Sequence, residues 1–218
     1  AGNTMAGSPH SAGTHLPIGD LKLNFTYPEG ELSDYHHELD LSTAVNTVTY
    51  KVGDTEYTRQ SIASNPDDVI AMYITASRPE AITMELELNL LRNAEVIASG
   101  NQLIYTGNAE FEKHGRGGVL FEGRIAVEIK GGTIKADGKK LLIDKATEVT
   151  LLSDVRTNYK NTTFAGYDYK QKCKETIEAA SKKSFKTLRN THVEDYAPLF
   201  SRVALSFGDN GKLNHLPN

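Results

Sequence analysis

Between Leu21 and Leu151 the apolar side chains recur at every second position, a period that fits antiparallel β-sheet and excludes amphipathic helix. The clearest runs are Val48, Tyr50, Val52; Ile82, Met84, Leu86, Leu88; Val119, Phe121, Ile125, Val127, Ile129; and Val149, Leu151. A strand of this kind turns one face to a core and the other to water. Turn signals separate the runs at Asn65-Pro66-Asp67, Arg78-Pro79-Glu80, Ser99-Gly100-Asn101, Gly131-Gly132 and Asp137-Gly138. The spacing predicts about ten short strands arranged as in a sandwich, with Lys22–Tyr27 and Leu141–Asp144 adding two more.

One hairpin can be read residue by residue. A two-residue turn at Gly53-Asp54, with glycine supplying the positive φ of a type II′ turn, sets Val52 opposite Thr55 and Lys51 opposite Glu56. The same register sets Tyr50 opposite Tyr57 and Thr49 opposite Thr58. Each pair is favourable by roughly 0.2–1 kcal/mol, and a one-residue slip would lose them all.

Near Asn158 the period changes. Tyr169, Cys173, Ile177 and Ala180 fall on one helical face, with Asp168 placed to cap it. A second helix sets Phe185, Leu188, His192 and Leu199 on one side. Arg202–Gly208 reads as a short extended segment, and the opening residues from Met5 to Asp20 read as a loop. The chain is thus mainly β over residues 1–156, followed by a helical linker region and tail over 157–218.

Composition narrows the partners. The 24 basic and 28 acidic residues leave a formal charge of −4, with no basic tract to neutralise phosphates, so nucleic acid is not expected as a partner. No apolar run approaches the roughly 20 residues of a membrane span, and the first ten residues lack the pattern of a signal peptide. The single cysteine, Cys173, rules out an internal disulfide and reads as a buried, inert thiol.

Several blocks, in order along the chain, resemble the N-terminal region of glycoside hydrolase family 95, whose characterised members are mainly α-L-fucosidases. They are LPIGDLKL (Leu16–Leu23), the stretch from Tyr35 to Ile70, GGVLFEGRIAVEIKGG (Gly117–Gly132), KATEVTLLSDVRTNY (Lys145–Tyr159) and HVEDYAPLFSRVALSFG (His192–Gly208). The resemblance implies part of a large antiparallel super-sandwich of the galactose-mutarotase-like kind, with two linker helices leading into an (α/α)6 barrel. It places the catalytic glutamate, aspartate and asparagines of an inverting glycosidase in that barrel, with no counterpart here. It also implies a periplasmic or secreted location and a truncated chain, inactive alone, whose partner is the absent barrel and whose further ligand is carbohydrate.

Chemical constellations in the chain itself have ordinary explanations. Glu38 with Asp40, and Glu85 with Glu87, share faces as i, i+2 acids do on any solvated strand, although an inverting glycosidase does need two carboxyls about 6.5–9.5 Å apart. His36 and His37 are neighbours on a strand and point to opposite faces, which does not suit a shared metal. No catalytic residue, metal site or cofactor is assigned. Lys113–Gly118 lacks the order of a phosphate loop and leads into a strand rather than a helix. His10, His15 and Asp20, in and beside the glycine-rich opening loop, are the candidate contacts to the barrel interface or the rim of a sugar pocket. Three readings follow: the sandwich region of a family 95-like glycosidase, a stand-alone carbohydrate-binding module, or a structural domain that docks a partner on its helices.

Overall fold

In chain order the elements are β1 (Gly19–Phe25), β2 (Leu32–Asp40), β3 (Val45–Val52), β4 (Thr55–Ser64), β5 (Val69–Ala76), β6 (Ile82–Leu90), β7 (Ala94–Ser99) and β8 (Gln102–Asn108). There follow β9 (Leu120–Lys130), β10 (Thr133–Asp137), β11 (Lys140–Ala146), β12 (Glu148–Thr157), α1 (Tyr169–Ala180) and α2 (Phe185–Phe200). The computed structural model describes residues 17–91, 93–109, 118–159 and 167–205.

The strands form two antiparallel sheets, one of order β1-β6-β11-β10 and one of order β2-β3-β4-β5-β12-β9-β8-β7. Their facing sides enclose the main core, in which Ile82, Leu86, Leu103, Leu141, Ile143, Phe121 and Val149 are all nearly inaccessible. Alternation drives this packing. In β6 the buried Ile82, Met84 and Leu86 alternate with half-buried polar residues, as the sequence period requires.

The hairpin register is as read from the sequence: Val52↔Thr55, Lys51↔Glu56, Tyr50↔Tyr57 and Thr49↔Thr58. Gly53 has φ 56°, and Asp54 is not among the residues with positive φ, which fits the type II′ turn. Tyr50 and Tyr57 stack with ring centroids 5.4 Å apart, and Tyr27 meets both rings edge-on while its hydroxyl lies 2.6 Å from that of Tyr50. Burial and that shared hydrogen bond push the Tyr27 hydroxyl well above the usual phenol range.

Strand β9 departs from simple alternation because both its faces are covered. Phe121, Ile125 and Val127 face the small sheet, while Glu122 and Ala126 lie buried on the other side. Where the inward pattern calls for an apolar residue at position 123, the chain has glycine, and the ring of Tyr105 from β8 lies across it. A Cβ on Gly123 would fall 2.0 Å from the Tyr105 ring. Gly123→Ala is therefore expected to lower stability by about 1–3 kcal/mol, the cost of overpacking a filled core, read as a lower urea midpoint. An unchanged midpoint would mean that the Tyr105 ring can move aside freely.

The helices form a third layer on the outer side of the large sheet. Asp168 accepts a hydrogen bond from the Gln171 amide and Ser184 one from the Thr187 amide, so each helix begins at a side-chain cap. Ile177, Ala180, Phe185 and Leu188 pack there with Ala126, Leu152, Ile62 and Val69, and Cys173 on the same helix as Ile177 is fully buried. The expected face of α2 is correct for Phe185, Leu188 and His192, which are buried, but Leu199 is 53% exposed because the helix runs past the sheet. Two further expectations need correction. Gly19 and Asp20 belong to β1 rather than to the opening loop, since β1 extends its pairing with β6 as far as Gly19↔Leu90. Arg202, expected to open an extended segment, lies in a turn; residues 203–205 pair with no strand and are exposed, and residues 206–208 of that segment lie outside the described residues.

The small sheet covers only part of the large one. Leu39, Ile70 and Val155 lie on the face that elsewhere buries Val48, Ile74 and Leu151, yet remain open to solvent.

Candidate functional site

Of the residues proposed from sequence, His10 and His15 lie outside the described residues. Asp20 sits on β1, an edge strand of the small sheet, exposed on the side away from the core. Lys113 and its neighbours up to 117 are likewise outside. The adjacent histidines do point apart: His36 pairs across with Thr49 and His37 with Val48, and His37 Nε2 lies 2.6 Å from the Asn46 side-chain oxygen.

The acids that share strand faces have local partners. Lys140 Nζ lies 2.7 Å from Glu85 and 3.0 Å from Glu87, so this i, i+2 pair clamps one lysine. Asp40 accepts hydrogen bonds from the hydroxyls of Ser42 and Thr43 and from the Ser42 amide, which hold its carboxyl down at about 2. It caps a turn.

The most densely charged part of the interior lies beneath α1, where sequence reasoning placed nothing. Glu122 stands opposite Arg156, and Arg124 opposite Asp154, across β9 and β12. Within each strand the arginine Nε lies 2.8 Å from the acid two residues before it. Four charges thus occupy the corners of a square with alternating sign, and Arg156 Nη2 also lies 2.5 Å from Asp68. Helix α1 closes the square from above, its Cys173 thiol 3.5 Å from the Asp154 carbonyl that accepts from it. Burial pushes the Asp154 carboxyl up in spite of the Arg156 guanidinium, and pushes the Cys173 thiol up to about 12. Paired ions under a helix make a structural seam, since each acid is engaged by an arginine, although Asp154 and Asp68 also border a groove shared with Ser64, Asn65 and Ser153. The signal was present in the E-x-R and D-x-R spacing of two strands, but the register that joins them is a long-range fact.

Helix α2 ends in a second feature. His192 Nε2 lies 3.0 Å from the Thr43 carbonyl, and the Tyr196 hydroxyl donates to the Leu41 carbonyl at 3.0 Å, fastening the helix to the loop between β2 and β3. The rings of His192, Tyr196 and Phe200 stack at one-turn intervals. At and beyond the last rung Leu199, Phe200, Val203 and Leu205 are exposed, as is Leu41, whose carbonyl holds Tyr196. Large apolar side chains grouped in this way mark a contact surface.

Comparisons with known proteins agree with this fold. Residues 1–162 match the family described as "Glycosyl hydrolase family 65, N-terminal domain". The chain is 30% identical over 216 residues to "Alpha-L-fucosidase 2" of Arabidopsis thaliana, covering 86% of this chain and 25% of that protein. It is 29% identical over 204 residues to "Probable alpha-fucosidase A" of Aspergillus niger, covering 85% and 25%. The chain therefore spans about a quarter of the length of these curated relatives. Among solved structures, "Putative kojibiose phosphorylase from human microbiome" superposes with a TM-score of 0.56 at 13% identity, over 82% of this chain and 28% of that one. A bacterial glucoamylase complexed with acarbose gives 0.50 at 9% identity, over 84% and 32%. The family number is 65 where the sequence resemblance pointed to 95, while both identify the N-terminal sandwich of a glycoside hydrolase. From its strands, its two-sheet architecture and the match over residues 1–162, this chain belongs to the glycosyl hydrolase family 65 N-terminal domain family.

Proposed function

We propose that this domain is the non-catalytic sandwich of an exo-glycosidase, an α-L-fucosidase or a near relative, and that it carries an (α/α)6 catalytic barrel on the end of α2. The observation that carries this reading is the apolar lip of Leu41, Leu199, Phe200, Val203 and Leu205, which lies where the helical layer runs off the sheet. The α-fucosidase relatives, of which this chain spans about a quarter, support the choice of parent enzyme. The local partners of the paired acids Glu38 with Asp40 and Glu85 with Glu87 support a catalytic site outside this domain. Asp20, His10 and His15 keep their assignment to the interface or pocket rim.

The test uses nitrophenyl fucoside hydrolysis. The 218-residue chain alone is expected to be inactive. In the longer protein, Phe200→Asp is expected to reduce activity at least tenfold, because an anchor at the centre of an interface is worth about 2 kcal/mol or more. Turnover by the isolated chain that a point substitution within it abolishes would overturn the proposal.

A further inference from the structure

The outer side of the large sheet holds a cavity of about 400 Å3 where the first turns of α2 cross β4, β5 and β12. That volume lies at the lower end of the range for small-molecule sites, about 300–1,000 Å3, and suits a single sugar-sized molecule. Its walls differ in charge state. On the sheet side, Glu148 is fully engaged: Lys130 Nζ lies 2.8 Å from one carboxylate oxygen and the Tyr73 hydroxyl donates to the other at 2.6 Å. On the helix side stand Lys186 and Arg189, three residues apart and so on one face. Neither has an ion-pair partner among the described residues. The Arg189 Nε is buried and makes no hydrogen bond there.

A guanidinium nitrogen removed from water with no acceptor is costly, and the missing acceptor is what a ligand can bring. Since the one acid in the cavity is already neutralised by Lys130, the two remaining cations call for negative oxygen, which arginine takes in a two-pronged grip. Gln60 and Thr150 on the sheet side offer further polar groups for hydroxyls. We propose that this cavity binds a small oxyanion, the carboxylate of a sugar acid or a phosphate, held by Arg189 and Lys186. The site is independent of the apolar lip and of the parent enzyme's reaction.

Calorimetric titration of the 218-residue chain with sodium glucuronate, sodium phosphate and glucose, at constant ionic strength, tests it. Both anions are expected to bind and glucose not to, and the tighter anion identifies the source of the oxyanion. Arg189→Met is expected to weaken anion binding about tenfold or more, and exposed Lys186→Gln about threefold, by loss of one charge-assisted contact each. Without ligand, Arg189→Met is expected to raise Tm by about 2–4 °C, since it removes a half-buried guanidinium whose buried Nε makes no hydrogen bond. Glucose binding as tightly as glucuronate, no anion binding by the wild type, or anion binding unchanged in both variants would each overturn the proposal.

Discussion

Arg156→Ala is expected to destabilise the domain by about 3–5 kcal/mol, the loss typical of removing one partner from a buried ion pair. Arg156 joins Asp154, which is 8% exposed, to Asp68, and it stands opposite Glu122 across the strands. Without it two carboxylates face each other under α1 with only Arg124 between them. The shift should be accompanied by a diagnostic pH dependence. Burial already raises the Asp154 carboxyl above its ordinary value of 3.8, and Arg156 opposes that rise. Removing the arginine raises it further. An acid whose folded pKa lies above its unfolded one binds its proton more tightly when folded, so it favours the fold at low pH and disfavours it as pH rises. The deficit of the variant against wild type is thus expected to narrow as pH falls from neutrality towards about 4. Acid loss at Asp40, Glu85 and Glu148, whose carboxyls are held low by their partners, is common to both proteins and cancels in the difference. Urea titrations at two pH values measure it, and a deficit that widens in acid would contradict the assignment.

Leu188→Ala should cost about 2–5 kcal/mol, the range for emptying a buried leucine site. Leu188 is fully buried between α2 and the large sheet, in the cluster with Leu152, Ile177 and Phe185. Cys173 supplies the reporter, since its thiol is wholly inaccessible and held protonated until α1 lifts. If helices and sheet open as one unit, the variant's thiol should react about 30-fold faster or more in native buffer. A lower urea midpoint with unchanged labelling would show instead that α1 opens without α2.

What could be read from the sequence was what depends on neighbours along the chain. The Gly53-Asp54 hairpin was legible to the residue because turn chemistry and four facing pairs lie within ten positions. Asp168 and the α1 face were legible for the same reason, through a cap and a helical repeat. Leu199 was misplaced because a helical pattern records which side a residue is on, not where the supporting sheet ends. The charged square was invisible because its two halves are separated by β10 and β11, and only the β9–β12 register brings them together. Gly123 gave no signal either, since its reason is a ring on β8. The binding cavity joins β4, β5 and β12 to α2, four elements whose meeting no local pattern describes.

The order β2-β3-β4-β5-β12-β9-β8-β7 has a consequence for synthesis on the ribosome. The last of the described strands, β12, lies at the centre of the large sheet, paired with β5 on one side and β9 on the other. Until Glu148–Thr157 has emerged, the nascent chain holds two separate meanders, each with an open edge that awaits the same strand. Closure is late and long-range, and α1, which docks on β12 and β9, comes after it.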